Sequence, residues 1–227
     1  MSNVVLAGTT GLVGSHILSS LLTHPSISTV YAYARRTPPN PSASPKLFHI
    51  PSAESAQWPS QFPRESNPKI FFSGLGTTRA AAGGLDAQRK IDVDLNYDLA
   101  KAAKDSGVDT YVLISSRGAS SASTMAYPKM KGELEDMVKN LGFKYTVILK
   151  PGLIQGSREE SRPLEAVGRS IAGALRRVSP KLVDFWVNDA SVIAKAAVVA
   201  GLACAEGRRE AGVWEVDMAE IEKLGRE

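Results

Sequence analysis

A tyrosine and a lysine lie four residues apart, at Tyr127 and Lys131, where a segment with helical periodicity begins. Side chains at this spacing project from the same face of a helix. A free tyrosine has a pKa near ~10 and is a poor base at neutral pH, but a neighbouring ammonium group lowers that value. We therefore expect Lys131 to lower the pKa of the Tyr127 phenol, which could then donate a proton to a carbonyl oxygen or remove one from an alcohol.

Two serines, Ser115 and Ser116, follow the apolar run from Tyr111 to Ile114 and end a predicted strand. A hydroxyl group at that position could donate a hydrogen bond to the same substrate oxygen. Which serine faces the substrate depends on the register of the strand, so both remain candidates. Asn96 could hold a water that relays protons to the lysine, but an isolated asparagine on a helix is more often a surface residue.

Three glycines separate an apolar strand from a helical run near the start of the chain. A helix N-terminus exposes unpaired N–H groups and a partial positive charge, which suits a pyrophosphate. Gly8 permits a tight turn, Gly11 lets the backbone approach phosphate, and Gly14 lets the helix pack on the strand. The predicted cofactor-binding loop consists of Gly8, Thr9, Thr10, Gly11, Leu12, Val13 and Gly14.

The preferred dinucleotide is expected to depend on the end of the second strand. Folds that bind NAD place an acidic residue there for the ribose 2′-hydroxyl, whereas a 2′-phosphate needs cations. This chain has Arg35 and Arg36 and no acid nearby, and a guanidinium can hold phosphate through two parallel hydrogen bonds. The sequence therefore predicts NADP(H). Leu75 and Gly76, after the fourth strand, are predicted to border the cofactor because a larger side chain there would collide with it.

A dinucleotide loop upstream of a Ser, Tyr and Lys set is the arrangement found in short-chain dehydrogenase/reductases. Repeated strand-then-helix patterns predict the matching α/β fold, a Rossmann-type doubly wound parallel sheet covered on both faces. Residues 1–227 are interpreted as a single domain, with a small C-terminal substrate-side lobe built mainly from residues 151–189. One long helix is expected from Asp86 to Ser106, and an irregular crossover from Pro51 to Pro68.

Composition narrows the classes of partner and compartment. The formal net charge of +4 comes without a nucleic-acid motif, so we expect no nucleic-acid binding. The single cysteine excludes an intramolecular disulfide and a multi-cysteine metal site, and the histidines lack metal-ligand spacing. No apolar run reaches the ~18 residues of a membrane span, and no basic residue precedes Arg35, which argues against a cleaved presequence. The basic segment 158–181 is read as a solvated helix face, with contact to anionic lipid or cofactor phosphate as the alternative.

Longer segments resemble an atypical group of short-chain dehydrogenases, especially its fungal FMP52 branch. These segments are Leu6 to Leu18, Gly74 to Arg79, Ser115 to Ala119, Tyr127 to Glu133, Lys150 to Gly152 and Arg158 to Pro163. The resemblance implies that NADPH is bound by the glycine loop, by the arginine after the second strand, by the Leu-Gly of the fourth strand, and by the Tyr and Lys. It also implies cofactor contacts around Leu153 and Arg158, and peripheral attachment to the mitochondrial outer membrane. Lys150 stands where we expect an arginine in animal members.

The leading hypothesis is an NADPH-dependent oxidoreductase that reduces the carbonyl group of a small, partly apolar substrate. A regulatory or adaptor protein that binds NADPH and keeps only vestigial redox chemistry is the first alternative. A non-redox isomerase or cyclase on the same scaffold is the second. The intact Ser, Tyr and Lys set favours the oxidoreductase, because a pure sensor needs no proton donor. The expected location is the cytosol or the outer mitochondrial surface, and the sequence leaves the oligomeric state open.

Overall fold

A parallel sheet organises the fold in the computed structural model, which describes residues 1–52, 54–155 and 187–226. Seven of the described strands join side by side in this sheet, and the two others form a separate parallel pair. The strands are β1 Ser2–Ala7, β2 Ile27–Ala34, β3 Leu47–Pro51, β4 Ile70–Ser73, β5 Thr110–Ile114, β6 Tyr145–Leu149, β7 Leu153–Gln155, β8 Val187–Asp189 and β9 Gly212–Val216. The order in the large sheet is β3-β2-β1-β4-β5-β6-β9, and β7 pairs with β8.

Helices connect these strands and cover the sheet. The described α-helices are α1 Leu12–Thr23, α2 Arg79–Ala82, α3 Leu85–Arg89, α4 Asn96–Asp105, α5 Ala126–Lys139, α6 Ala190–Ala205 and α7 Met218–Arg226. A π-helical segment, Lys90–Leu95, joins α3 to α4. The expectation of one regular helix from Asp86 to Ser106 is therefore wrong in its middle, because a π turn bonds i to i+5 and changes which side chains face the sheet.

The sheet has two hydrophobic cores, one on each face. Side chains of α1, α6 and α7 form one core with alternate strand residues such as Val4 and Phe72. Side chains of α4 and α5 form the other with the intervening residues, such as Val5 and Phe71. Both faces of β1 are thus buried from Val4 to Ala7, which explains the unbroken apolar sequence of that part of the strand. The predicted doubly wound parallel sheet is confirmed.

The crossover between β3 and β4 contains two short 3₁₀ helices, Ser55–Gln61 and Arg64–Ser66, in agreement with the predicted irregular structure. It adds Trp58 and Phe62 to the second core. The Tyr33 hydroxyl donates a hydrogen bond to the Trp58 carbonyl oxygen at 3.0 Å, and the two rings stack with centroids 5.4 Å apart. This packing fixes the crossover against the end of β2.

The carboxyl ends of the parallel strands meet at one edge of the sheet, which is where ligands bind in open α/β folds. The loops after β1, β2, β4, β5 and β6 lie at this edge. The basic segment 158–181, read from the sequence as a helix face, and most of the predicted substrate-side lobe lie outside the described residues. Within the described part of the chain, no helix is long and apolar enough to cross a membrane.

Candidate active site

The glycine loop after β1 is packed too closely for side chains. Gly8 has φ +89°, and a Cβ on it would lie 2.5 Å from the Gly74 backbone. A Cβ on Gly14 would lie 2.0 Å from the Gly8 carbonyl oxygen. The roles predicted for Gly8 in a tight turn and for Gly14 in helix packing therefore agree with the structure. The loop after β4 packs against the turn at Gly8, a contact that could not be predicted from the sequence.

The N-terminus of α1 provides the backbone donors expected of a phosphate site. Gly11 caps the helix with extended backbone and no side-chain hydrogen bond, and the first turn carries no acidic residue. Thr10 is exposed, whereas the Val13 side chain is buried in the core, so Val13 could contact a ligand only through its backbone. The Thr9 hydroxyl donates to the Tyr33 carbonyl oxygen at 3.2 Å, which ties the loop to β2. These features fit a bound pyrophosphate.

Arg35 and Arg36 directly follow β2, at the same edge of the sheet as the glycine loop. Both side chains are exposed. No acidic residue occurs in the sequence from the start of β2 to residue 53. The position and charge of this pair suit a phosphate on the adenine ribose.

The loop after β4 is held by buried polar side chains from the helical segment that follows it. The Thr77 backbone N–H donates to Asp92 Oδ1 at 2.7 Å, and Gln88 Nε2 donates to the Thr77 carbonyl oxygen at 2.9 Å. Leu75 is half-buried and Gly76 is exposed, and a Cβ on Gly76 would lie 4.0 Å from Asp92 Oδ1. The predicted cofactor border is thus a stretch of backbone whose position is fixed by the hydrogen bonds that join Thr77 to Asp92 and Gln88.

Asn96 is fully buried, so its interpretation as a surface residue is wrong. Its Oδ1 accepts a hydrogen bond from the Ser73 hydroxyl, and its Nδ2 donates to the carbonyl oxygens of Ile91 and Asp92 at 3.3 Å. The hydrogen-bonding groups of the Asn96 side chain are therefore bonded to the end of β4 and to the π-helical segment. Asn96 thus stabilises the start of α4 against β4. Among the described residues, no hydrogen bond joins Asn96 to Lys131.

Tyr127 is the second residue of α5 and is 44% exposed, so a substrate could reach it. Partial burial raises the pKa of its phenol above the ordinary value, the nearby Ser116 side chain opposes this rise, and the negative charge of Asp92 adds to it. The expectation of a phenol pKa lowered by Lys131 is therefore not met in the protein alone. The physical reason is that burial disfavours the charged phenolate, and the negative charge of Asp92 acts in the same direction.

Lys131 lies one turn further along α5 and is 4% exposed. Its Nζ donates to the carbonyl oxygen of Ile114, the last residue of β5, at 3.2 Å. Burial lowers the pKa of the ammonium, and the nearby carboxylates of Asp92 and Glu135 oppose that change. The structure thus places the predicted lysine beside the carboxyl end of β5, on the helix that carries Tyr127.

The two candidate serines have different partners. The Ser115 hydroxyl donates to Glu135, and both residues are buried. Glu135 also forms an ion pair with Lys150 at 3.1 Å, and this lysine pairs with Glu215 at 2.7 Å. Ser116 is half-buried, its hydroxyl donates to the Arg117 carbonyl oxygen at 3.3 Å, and its side chain lies near the Tyr127 phenol. Ser115 is thus occupied within the core, whereas Ser116 is partly accessible near Tyr127.

The remaining predicted contacts lie beyond β6. Leu153, on β7, is 72% exposed. The Arg117 backbone N–H donates to the Pro151 carbonyl oxygen at 2.7 Å, which fixes the start of this segment beside the serine loop. Arg158 lies outside the described residues. Lys150, where an arginine was expected in animal members, makes the Glu135 and Glu215 ion pairs.

Sequence reasoning missed two buried carboxylates, Asp92 and Glu135, which are 1% and 3% exposed. Glu135 could have been found, because Tyr127, Lys131 and Glu135 follow each other at four-residue spacing along α5 and so share a face. Asp92 gave no comparable signal, because its position depends on the π-helical segment.

The fold and this site define a short-chain dehydrogenase/reductase of the atypical type. The chain belongs to the NAD dependent epimerase/dehydratase family, whose family model matches residues 4–183, and within it to the FMP52 proteins. It is 53% identical to "Protein fmp52-1, mitochondrial" of Aspergillus terreus over 100% of both chains. It is 51% identical to "Protein fmp52, mitochondrial" of Aspergillus clavatus, covering 99% of each.

Solved structures share the fold at low sequence identity. MoeE5 in complex with UDP-glucose and NAD has a TM-score of 0.66 at 17% identity, over 95% of this chain and 75% of that one. A short-chain dehydrogenase family protein from Francisella tularensis has a TM-score of 0.68 at 14% identity, over 97% of this chain and 98% of that one. A UDP-galactose 4-epimerase has a TM-score of 0.68 at 13% identity, over 95% of this chain and 76% of that one.

Proposed function

We propose that the protein is an NADPH-dependent oxidoreductase that reduces the carbonyl group of a small, partly apolar substrate. The observation that carries this proposal is the accessible Tyr127 phenol on α5, close to the Ser116 side chain and one helical turn before the buried Lys131. Two neighbouring hydroxyl groups suit a single oxygen atom that gains negative charge during the reaction.

The chain's own groups account for cofactor binding. The glycine loop and the first turn of α1 would receive the pyrophosphate, and Arg35 and Arg36 the 2′-phosphate. Leu75 and Gly76, in the loop after β4, would border the nicotinamide half of the cofactor. NAD is bound in the related structure of MoeE5, which supports a nicotinamide dinucleotide here, while the arginines favour its phosphorylated form.

The protein groups would handle the proton and the charge. When bound, the reduced nicotinamide supplies a hydride, which carries two electrons, to the carbonyl carbon. Tyr127 would give its proton to the carbonyl oxygen, so that the product is an alcohol. Ser116 would donate a hydrogen bond to the same oxygen, and the Lys131 ammonium would stabilise the tyrosinate left behind. The raised pKa of the Tyr127 phenol suits a group that must be protonated at the start of a reduction.

An epimerase or isomerase is a second candidate, favoured by the description of the matching family. In such a reaction Tyr127 would remove a proton and return it, with no net change in the redox state of substrate or cofactor. A third possibility, an adaptor that binds NADPH without chemistry, leaves the accessible Tyr127 and Ser116 pair without a role. The oxidoreductase is preferred because each of these groups has a task in it.

Turnover of NADPH separates these candidates. The purified protein is incubated with NADPH and a panel of aldehydes, ketones and quinones, while absorbance of the reduced cofactor and formation of alcohol or hydroquinone are followed. Cofactor oxidation that matches product formation mole for mole supports the oxidoreductase. Tight NADPH binding with no oxidation across the panel would contradict it and favour the adaptor or the isomerase.

For location, we propose loose attachment to the outer mitochondrial surface or residence in the cytosol. The names of the FMP52 relatives include "mitochondrial". The segment suggested for membrane contact, 158–181, is rich in arginine and carries apolar side chains, although it lies outside the described residues. Cations near an anionic membrane surface contribute about 1 kcal/mol each, which suffices for weak and reversible binding.

A further inference from the structure

Lys131 carries a buried positive charge, and its hydrogen bond to a neutral carbonyl oxygen does not neutralise that charge. The residue is 4% exposed, and its ammonium donates to the neutral carbonyl oxygen of Ile114 at 3.2 Å. Burying an ammonium is costly unless opposite charge lies near it, and otherwise the group tends to lose its proton. The role proposed for Lys131 requires the charged form, so the protein must supply the compensating charge.

Asp92 provides one such charge from the π-helical segment. Its carboxylate is 1% exposed and is fixed by the Thr77 backbone N–H at 2.7 Å, with Gln88 Nε2 at 3.5 Å from the other oxygen. Both partners are neutral, so they orient the carboxylate without cancelling its charge. The attraction between Asp92 and Lys131 raises the pKa of the lysine and lowers that of the aspartate, against the effect of burial on each.

Glu135 provides the second charge from α5 itself, one turn beyond Lys131. It is 3% exposed and accepts a hydrogen bond from Ser115, and its other oxygen pairs with Lys150 at 3.1 Å. Lys150 is shared with Glu215 at 2.7 Å, so it does not neutralise Glu135 alone. Glu135 also acts electrostatically to raise the pKa of Lys131.

We propose that Asp92 and Glu135 are positioning residues that keep the Lys131 ammonium charged and in place for its work with Tyr127. The proposal rests on the proposed function, in which that ammonium stabilises the tyrosinate. The charged or titratable groups facing Lys131 are Asp92 from the π-helical segment, and Glu135 and Tyr127 from α5, whereas β5 contributes the Ile114 carbonyl oxygen. Neither carboxylate is proposed to touch the substrate.

The test replaces each carboxylate by its amide, which keeps size and most hydrogen bonding but removes the charge. The variants are Asp92→Asn and Glu135→Gln. The matched controls are Asp94→Asn, an exposed acid on the same π-helical segment, and Asp136→Asn, an exposed acid next to Glu135 on α5. Circular dichroism and thermal unfolding establish that each variant is folded before it is compared.

The primary readout is direct titration of Lys131 by NMR of protein carrying ¹³C-labelled lysine, with the resonance assigned by its loss in Lys131→Met. Loss of an opposite charge within a few ångströms changes a pKa by about one unit or more. We expect the Lys131 pKa to fall by about one unit in Asp92→Asn and in Glu135→Gln, and to stay unchanged in both controls. In a working enzyme, the alkaline limb of the pH profile of kcat moves to lower pH by the same amount, because activity is lost when Lys131 loses its proton.

Titration by NMR does not need turnover, so the two proposals can fail separately. A shifted Lys131 pKa in a protein that oxidises no NADPH would leave this inference standing and reject the proposed function. An unchanged Lys131 pKa in either folded amide variant would overturn the inference, as would equal shifts in the controls. Should one variant not fold, the other decides the outcome alone.

Discussion

The Ser115 hydroxyl donates a hydrogen bond to the buried Glu135 carboxylate, which joins the end of β5 to the middle of the helix that carries Tyr127 and Lys131. The side chain of the neighbouring residue, Ser116, lies near the Tyr127 phenol instead. Two adjacent serines with the same chemistry therefore have different surroundings. We infer that Ser115 supports the site from within the core and that Ser116 is the one available to a substrate.

Replacing each serine by alanine tests this division. We expect Ser116→Ala to lower kcat/KM for carbonyl reduction by about 10- to 100-fold, because a hydrogen bond to a developing charge is worth about 1.5–3 kcal/mol. Ser115→Ala should change kcat/KM only by a few-fold and lower the free energy of unfolding by about 1–3 kcal/mol, because a buried carboxylate loses a donor. Steady-state kinetics and urea unfolding of both variants give the comparison, and the reverse pattern would refute the assignment.

The choice of cofactor is predicted to depend on Arg35 and Arg36. The unmutated protein should bind NADPH more tightly than NADH. Converting both arginines to alanine should raise the Kd for NADPH by at least about 10-fold, because each charge-assisted hydrogen bond is worth about 1.5–3 kcal/mol, and should change the Kd for NADH only by a few-fold. Arg208→Ala is the control, because Arg208 follows α6 and pairs with Glu206. Calorimetry that finds equal Kd values for the two cofactors in the unmutated protein would disprove the preference.

Alkaline pH should destabilise the protein through its buried phenols. Burial raises the pKa of Tyr111, whose ring packs between Phe71 and Phe143. The folded state therefore keeps a proton that the unfolded state loses above pH ~10, so this contribution to stability is complete below that pH and is lost as the pH rises further. Tyr111→Phe keeps the aromatic ring and removes the hydroxyl group that titrates.

Urea unfolding between pH 8 and 11 measures this effect. The free energy of unfolding should fall less steeply above pH ~10 in Tyr111→Phe than in the unmutated protein, whereas Tyr97→Phe, a half-buried control, should leave a slope closer to the original. Identical slopes for the unmutated protein and Tyr111→Phe would show that Tyr111 does not contribute.

Sequence patterns predicted the parallel sheet, the glycine loop and the Tyr127 and Lys131 spacing because each depends on neighbouring residues. The buried polar contacts depend on residues that lie far apart along the chain. Asp92 meets Thr77 and Ser115 meets Glu135 only after the sheet register and the π-helical segment have formed. For the same reason, the serine that faces Tyr127 could not be chosen in advance, and the burial of Asn96 was not foreseen.

Cell fractionation tests the proposed location. We expect any fraction bound to mitochondria to be released by salt or carbonate, because weak electrostatic attraction is screened by ions. Protease added to intact mitochondria should digest this fraction, with a known matrix protein as the protected control. Protection of the protein from the protease would place it inside and contradict the proposal.

The most direct test of the proposed chemistry is the turnover of Tyr127→Phe, measured with the carbonyl compound that the unmutated protein reduces fastest. Removing the proton donor should lower kcat by about 10²- to 10⁴-fold and leave the Kd for NADPH within a few-fold, because the hydroxyl acts in the transition state and the ring is retained. Tyr31→Phe, on β2, is the control and should keep full activity. Full turnover in Tyr127→Phe would contradict the account, because the proton would then come from another group.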